Sequence, residues 1–409
     1  MVGTGVKPVK PSSVKKYGGV VTDLRTPDEE QRLALERILQ MSFALPKLSW
    51  ATFFERVGHD RLRVVVENGN VVGGLAAYRL SQFFGGASVP VAGIAGVGIA
   101  PDARGRGLAK SMLNKTLGEL RAASPPESDG APLAGLYAST TTLYRACGFE
   151  QAGTAMYFSA PLASFPRGDR VLVCTALPPK IHEPLHASYD VRARAWTGHL
   201  DRTPAIWERL VDPYDDVAYA YVVDGGYIVF QQRSKPDSLH FRVVVRDVTM
   251  TTRASAQRIL GFLHDLRSLA DEIVWRGVNA DPLLSLLPEQ THTVKRHERW
   301  MLRVLDVERA LAMRGWPKMR AEVHLAVHDA HIAENAGRFV LSLDDGRGEA
   351  KRGGRGDVTL DVRALAALYS GFQTPYALRA AGLLDGDGDS LATLAAIFAG
   401  PEPWCADHY

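Results

Sequence analysis

The sequence predicts a protein of the α/β (α+β) class in which one α/β unit occurs twice. Short stretches of alternating apolar residues are interspersed with helix-like runs along the whole chain. Two successive stretches also follow one order, hairpin, strand, turn, helix and strand, which indicates an internal duplication. We therefore expect a flexible tail at 1–19, a first unit at 20–165, a second unit at 166–306 and a mixed α/β domain at 307–409.

Composition narrows the class of protein before any motif is considered. The formal net charge of +3 gives no global reason to expect nucleic acid or an anionic membrane as a partner. Cys147, Cys174 and Cys405 lie far apart and form neither a metal-type pair nor a disulfide framework. We therefore expect a cytoplasmic protein, with secretion left open. No apolar run reaches the ~18 residues that would span a bilayer.

The first unit opens with a helix start. In "TPDEE", Thr26 is expected to cap a helix and Glu29 to complete a capping box. Asn68-Gly69 lies between two apolar runs and predicts a hairpin over Leu62–Tyr78. The later segments predict strand, helix, strand, short helix and strand in "VAGIAGVGIA", "LAKSMLNKTLGEL", "LAGLYAS", "TTTLYRACGF" and "GTAMYFSAPL".

The second unit repeats this order with a different turn. Asp-Gly predicts a hairpin over Val217–Gln232, and a strand, a turn and a helix follow from Phe241. The turn "VTMTTRASA" contains no glycine, so it lacks the bare backbone that lets a phosphate approach closely. We interpret the second copy as structural, or as one wall of a pocket.

The third domain begins with a helix that is expected to end at Gly315. Two alternating strands, "AEVHLAVHD" and "GRFVLSLDDG", a strand-to-helix segment and a late helix follow. The run "GRGEAKRGGRG" predicts a basic flexible loop, and "DGDGDS" a solvated turn. His324, His328 and His331 have no accompanying carboxylate or cysteine spacing, so no metal site is expected.

A turn rich in glycine and arginine stands between a strand and a helix in the first unit. Arg104-Gly105-Arg106-Gly107 places bare backbone at a helix N-terminus, where unpaired N–H groups and the helix dipole favour an anion. The two guanidinium groups add charge-assisted contacts. The spacing fits neither a Walker loop nor Gly-x-Gly-x-x-Gly, which disfavours a nucleotide-triphosphate or dinucleotide fold.

In context, this stretch closely resembles the acyl-CoA motif of the GNAT N-acetyltransferase superfamily. The segment "TLYRACGFE" supports the resemblance, because GNAT domains often have Leu-Tyr-x-x-x-Gly-Phe there. A degenerate second GNAT-like unit and a third domain similar to a sterol carrier protein extend the likeness over almost the full chain. The whole resembles the Eis (enhanced intracellular survival) family, including "MLRVLDVERALAMRG", "LAALYSG" and the ending Asp407-His408-Tyr409. That family's loop is often richer in arginine, and Gly105 interrupts the run here.

The resemblance implies a central mixed sheet flanked by helices in each GNAT-like unit and acetyl-CoA as cosubstrate, with no metal. Loop amides would bind the pyrophosphate, and strand amides would hold the pantetheine and polarise the thioester. The implied acetyl-CoA-binding residues are Val97, Gly98, Ile99, Arg104, Gly105, Arg106, Gly107, Leu108 and Ala109.

Candidate catalytic and acceptor-binding residues follow from the same resemblance. Tyr144 is the expected general acid, and the α-carboxylate of Tyr409 is the expected base. Phe43, Trp50 and Glu402 are expected to contact the acceptor. The alternatives are plain ones: packing for the aromatic rings, a solvated position for Glu402, and a frayed terminus for Tyr409.

The expected activity is acetyl transfer to primary amines, either aminoglycoside-like polyamines or lysine side chains. Cys147 has no His or Asp orienter nearby, which disfavours a covalent acyl-cysteine. Two other functions stay open, a lipid or sterol carrier and a non-catalytic acyl-CoA sensor. The resemblance also implies a homo-oligomer, with a hexamer as one form, and no nucleic-acid partner.

Overall fold

The computed structural model describes residues 23–43, 50–122, 130–213, 216–236 and 238–409. The expected tail at 1–19 lies outside these ranges. The described chain forms two sheets, one of twelve strands and one of five. Among its helices, none has both the length and the apolar character needed to cross a membrane.

Strands and helices alternate along the chain as the class predicts. The strands are β1 (Leu24–Arg25), β2 (Leu62–Glu67), β3 (Asn70–Phe84), β4 (Ala87–Ile99), β5 (Leu133–Tyr137), β6 (Glu150–Pro161), β7 (Thr175–Ala176), β8 (Tyr219–Val223), β9 (Gly226–Ser234), β10 (Phe241–Met250), β11 (Ala270–Gly277), β12 (Thr293–Val304), β13 (Ala321–His328), β14 (Gly337–Asp344), β15 (Arg347–Arg352), β16 (Val358–Asp361) and β17 (Leu384–Gly386). The helices are α1 (Glu29–Phe43), α2 (Trp50–Val57), α3 (Leu108–Ala122), α4 (Thr141–Arg145), α5 (His186–Ala195), α6 (Pro204–Val211), α7 (Arg253–Asp265), α8 (Pro282–Leu286), α9 (Val307–Met313), α10 (Val362–Tyr369), α11 (Pro375–Ala380) and α12 (Gly388–Ile397).

The two expected units share one continuous sheet. Its order is β1-β2-β3-β4-β5-β12-β6-β11-β10-β9-β8-β7. Strand β12, from late in the chain, lies between β5 and β6, so that Trp300 is opposite both Tyr137 and Gly153. Strand β12 was not predicted from the sequence, because its first half is exposed and its second half is buried, so it lacks a regular alternation. The domain boundaries stay predictions.

Glycine-containing turns define the hairpins. At the first predicted hairpin, Asn68 and Gly69 have φ of +50° and +80°, as a type I′ turn requires. A second hairpin at Gly85-Gly86 makes β3 and β4 longer than the sequence analysis predicted.

The start of α1 differs from the prediction. Asp28 accepts a hydrogen bond from the Gln31 amide at 2.9 Å, and Gln31 accepts one from the Asp28 amide at 3.3 Å. This reciprocal pair forms the capping box two residues later than expected. The Thr26 hydroxyl instead accepts a hydrogen bond from Arg63.

Two predicted loops of the third domain are regular structure. The basic run contains β15, which pairs antiparallel with β14 across a turn at Asp345-Gly346. The basic flexible loop was therefore a wrong prediction, and the Asp-Gly turn was its overlooked signal. In "DGDGDS", Asp385 belongs to β17, and Asp387 caps α12 by accepting from the Ser390 amide at 2.8 Å.

The third domain is a five-stranded sheet, ordered β15-β14-β13-β16-β17, against which the buried helix α10 packs. A fully buried ion pair connects it to the large sheet. Arg303 of β12 donates to both carboxylate oxygens of Asp329 at 2.7 and 2.8 Å, and both side chains are 0% exposed. Asn335 donates to the same carboxylate at 3.0 Å.

Replacing Arg303 by methionine should destabilise the protein by about 3–5 kcal/mol, because it leaves the Asp329 carboxylate buried without a countercharge. The double variant Arg303→Met/Asp329→Asn should lose less. Denaturant titration of the full chain measures both. Lys351→Met, in an ion pair 70% and 63% exposed, is the control and should change stability by about 0.5 kcal/mol or less. An equal loss in Arg303→Met and Lys351→Met would contradict the expectation.

Candidate active site

Strands β4 and β5 separate in the middle of the large sheet. Their parallel pairing covers Val91–Gly93 and Leu133–Gly135 and ends there, while β4 continues to Ile99. A β-bulge bends the unpaired part of β4, where Gly96 has φ of +57°. The edge of β4 beyond Gly93 is thereby released from pairing with β5 and can bind another extended group.

The glycine-rich turn follows directly. Gly105 and Gly107 have φ of +74° and +80°, which favours glycine. A Cβ at Gly105 would meet nothing within 4 Å, so the backbone lies open at the start of α3. The first N–H groups of a helix have no intrahelical hydrogen-bond partner. At the start of α3 they can therefore bind an anion.

The corresponding helix of the second unit is capped by its own side chains. The Thr252 hydroxyl accepts from the Ser255 amide at 3.0 Å, and the Ser255 hydroxyl accepts from the Thr252 amide at 3.1 Å. This capping box occupies N–H groups that an anion would need at α7. The two units therefore differ at the helix start, which is open in the first unit and capped in the second.

Both loop arginines have partners within the protein. Arg104 donates to the Ile99 carbonyl at 3.0 Å, next to the end of β4. Arg106 donates to both oxygens of Glu67 at 2.7 and 2.9 Å. In this arrangement the backbone amides and the dipole of α3 face the loop, and the arginines brace it.

The terminal segment, residues 401–409, ends where β4 and β5 separate. The Tyr409 ring lies 5.7 Å from the Tyr137 ring and 6.4 Å from the Tyr78 ring, measured between centroids. A Cβ at Gly93 would be 2.9 Å from the Tyr409 ring, and one at Gly135 would be 2.7 Å from its hydroxyl. Tyr409 is 7% exposed, so the alternative of a frayed terminus does not describe this structure.

Backbone hydrogen bonds fix the terminal segment along its length. The Pro403 carbonyl accepts from the Thr154 amide, and the Trp404 amide donates to the Thr197 carbonyl, both at 3.0 Å. The Tyr137 hydroxyl donates to the Asp407 carbonyl at 2.8 Å. Each of these contacts joins the end of the chain to one of the two GNAT-like units.

A buried ionic network holds the same segment through its side chains. Arg202 donates to Asp407 at 3.0 and 3.1 Å and forms an ion pair with Asp247 at 2.7 Å. Asp247 also binds Arg192 and the Tyr227 hydroxyl, at 2.7 and 2.6 Å. Burial alone would raise the pKa of Asp247, but Arg192 and Arg202 hold that pKa well below its usual value. The network therefore stays charged at neutral pH.

A central cavity of about 510 Å³ opens beside Tyr409. Aromatic side chains of the first unit, arginines of the second unit and the terminal segment surround it. Its lining is Phe43, Trp50, Phe53, Ala95, Gly96, Tyr157, Ile206, Arg209, Leu210, Pro213, Gln231, Val244, Val245, Arg246, Arg276, Ala406, Asp407, His408 and Tyr409. The predicted acceptor residues Phe43 and Trp50 thus lie together in this wall, with ring centroids 5.8 Å apart.

Glu402 lies apart from that lining. Its carboxylate accepts from the Thr154 hydroxyl at 3.0 Å and from the Asn279 amide group at 3.1 Å. In the structure this residue anchors the terminal segment to both GNAT-like units.

Tyr144 lies in a different core cluster from Tyr409. It is 6% exposed, packs against Phe149, and shares its cluster with Val97 and Ile99 at the end of β4. Burial raises the pKa of Tyr144 to about 12 and that of the neighbouring Cys147 thiol to about 11. Both groups therefore stay protonated at neutral pH, which argues against Cys147 as a nucleophile.

Three arginines of the cavity were not predicted from the sequence: Arg209, Arg246 and Arg276. They come from α6, β10 and β11 of the second unit and meet only through the shared sheet. No local motif marks them. The interpretation of the second copy as one wall of a pocket pointed to this unit, but it did not point to these three residues.

Comparison with known families agrees with this geometry. The chain matches models of the acetyltransferase (GNAT) domain at residues 24–152 and 198–304, and of the sterol carrier protein domain at residues 307–406. It is 30% identical over 320 residues to an uncharacterized N-acetyltransferase of Streptomyces coelicolor, covering 73% of this chain and 75% of that one. It is 25% identical over 378 residues to N-acetyltransferase Eis of Mycobacterium tuberculosis, covering 87% and 90%. The chain belongs to the Eis family of GNAT N-acetyltransferases.

A solved structure shares the complete architecture. The GCN5-related N-acetyltransferase from Anabaena variabilis superposes with a TM-score of 0.89 at 34% identity, over 95% of this chain and 100% of that one. As an Eis-family enzyme, the protein is an acyltransferase, and its GNAT domains imply acetyl-CoA as cosubstrate. Among the described residues, no cluster of three or more His, Cys, Asp or Glu side chains could hold a metal ion.

Gly135→Ala should lower kcat for acetyl transfer by about 100-fold, because the new methyl group would displace Tyr409 from the point where β4 and β5 separate. Release of CoA, followed with a thiol reagent, measures the effect. Gly118→Ala in α3 is the control, since its Cβ would meet nothing within 4 Å and alanine favours the helix. Unchanged kcat in Gly135→Ala would show that the position of Tyr409 does not matter to the reaction.

Proposed function

We propose that the protein transfers the acetyl group of acetyl-CoA directly to a primary amine that enters through the central cavity. The observation that supports this most is the position of Tyr409, at the end of the β4–β5 pairing and in the cavity wall. Acetyl-CoA would approach from the glycine-rich turn at α3, and the amine from the opposite, aromatic side. Phe43 and Trp50 would then contact the acceptor.

In the chemical step, the amine nitrogen attacks the acetyl carbonyl carbon, and the carbon–sulfur bond breaks. The leaving thiolate takes a proton from Tyr144, in step with bond cleavage, and Tyr144 regains one from solvent. Burial keeps Tyr144 protonated over the whole working pH range, so the donor is always available. Tyr144 belongs to the hydrophobic cluster against which Val97 and Ile99, at the end of β4, also pack, and this placement supports the role.

The α-carboxylate of Tyr409 takes the proton that the attacking nitrogen loses, directly or through a water molecule. A carboxylate of pKa ~3.5 is a weak base toward a free ammonium group. It is adequate once the nitrogen–carbon bond has begun to form, because the nitrogen proton is then strongly acidic. The acceptor is a primary amine, and the family resemblance favours an aminoglycoside-like polyamine or a lysine side chain. The same resemblance favours a homo-oligomer as the working form.

Tyr144→Phe should lower kcat by about 100-fold or more, the contribution of one positioned acid, while acetyl-CoA affinity stays within about threefold. Steady-state CoA release and a direct acetyl-CoA titration separate the two quantities. Tyr369→Phe is the matched control, because that tyrosine is equally buried and bonds only within the third domain. If Tyr144→Phe retains full kcat, Tyr144 is not the acid.

Adding one glycine after Tyr409 should abolish most of the activity, because the carboxylate would move one residue beyond its present position. Acetyl-CoA binding should persist, since the glycine-rich turn is untouched. Equal activity with and without the glycine would remove the terminal base and leave the acetyltransferase intact. Binding of acetyl-CoA by the unmodified chain without turnover of any amine would favour the alternative of a non-catalytic sensor.

A further inference from the structure

The central cavity is positively charged along the wall that the second unit provides. Arg209, Arg246 and Arg276 all line it. Besides the α-carboxylate of Tyr409, which the proposed function uses as the base, Asp407 is the one side-chain carboxylate among the lining residues that the structure describes. Its side chain is 7% exposed and already bound through both oxygens to the buried Arg202. The charge of Asp407 is therefore compensated from behind the cavity.

Arg209 and Arg276 have few partners for their charge. Among the described residues, Arg209 donates to the backbone carbonyl of His408 and forms no ion pair. The side chain of Arg276 is 9% exposed, and its Nε lacks any hydrogen-bond partner there. Its nearest carboxylate, Glu298, is 3.7 Å away and also pairs with Arg296. This wall therefore offers guanidinium groups to a ligand.

A polycation fits such a wall poorly, since like charges repel strongly where water is partly excluded. A carboxylate or phosphate fits well, because guanidinium groups bind oxyanions through paired, charge-assisted hydrogen bonds. The other wall is aromatic, from Phe43, Trp50 and Phe53, and would contact an apolar middle portion of the ligand.

We infer that the natural acceptor is a primary amine that also bears an oxyanion, a carboxylate or a phosphate, which the three arginines bind. This inference rests on the proposed function, and it replaces the aminoglycoside-like acceptor predicted from resemblance. The amine would reach the thioester beside Tyr409 while the oxyanion stays on the second unit's wall. Arginine binding would then both orient the acceptor and exclude polyamines.

The test compares amines that differ only in the charge at the far end. δ-Aminovalerate, aminopentanol and cadaverine form an anionic, neutral and cationic series, and phosphoethanolamine with ethanolamine distinguishes phosphate from carboxylate. We expect kcat/KM for an anionic amine to exceed that of its neutral partner by about tenfold or more, the effect of one charged hydrogen bond. Cadaverine should be the poorest acceptor.

Arg209→Gln should remove most of this preference, because glutamine can still donate to the His408 carbonyl but has no charge. The readout is the ratio of kcat/KM between anionic and neutral acceptors, which a general loss of activity does not change. Arg320→Gln, at an 88% exposed arginine of the third domain, is the control and should leave the ratio unaltered.

A preference for cadaverine, or a ratio that Arg209→Gln does not change, would overturn the inference while leaving the acetyltransferase in place. Failure of every amine to release CoA would instead count against the proposed function. Calorimetric titration of the CoA-loaded protein would then decide the inference separately. Tighter binding of δ-aminovalerate than of cadaverine supports it, and the reverse order rejects it.

Discussion

The buried contact of Arg202 with Asp247 and Asp407 holds the terminal segment against the second unit. All three side chains are almost inaccessible to water, and among the described residues their ion pairs are with one another and with Arg192. Burying such charges costs free energy, and leaving one unpaired costs more. If the terminal segment moved away from the second unit, Asp407 would no longer pair with the buried Arg202, and the protein would lose stability. The position of Tyr409 beside β4 and β5 follows from this pairing.

The shared sheet makes this arrangement possible. Since β12 lies between β5 and β6, the two GNAT-like units cannot move independently without breaking strand pairing. The separation of β4 from β5 is thereby fixed relative to the arginines of the second unit. A cavity built from two units and a terminal segment of a third domain can consequently keep one geometry.

Local chemistry made part of this structure predictable from the sequence. Asn68-Gly69 specified its hairpin because a type I′ turn needs two residues with positive φ, and Gly105 and Gly107 marked the loop before α3 for the same reason. The overlooked strand β15 was equally marked, by Asp345-Gly346, and the error lay in giving its basic composition more weight. Strand β12, in contrast, is specified by its neighbours β5 and β6. Its own pattern does not alternate regularly, so only the folded sheet reveals it.

The candidate site likewise has one part that local sequence predicts and one part that depends on the folded chain. The glycine-rich turn before α3 is one continuous segment, and its glycines indicate the backbone conformation that it needs. The charged part of the cavity is formed by α6, β10, β11 and the terminal segment. Its arginines come together only in the folded protein. The two copies of the duplicated unit contribute different parts of the site. The first copy has an open backbone before its helix α3, while the second copy caps its own helix with Thr252 and Ser255 and contributes side chains to the cavity wall. Under the proposed function, substitutions in that wall would alter which amine enters without disturbing the glycine-rich turn. Acceptor choice and acetyl transfer would then be set by separate parts of the chain.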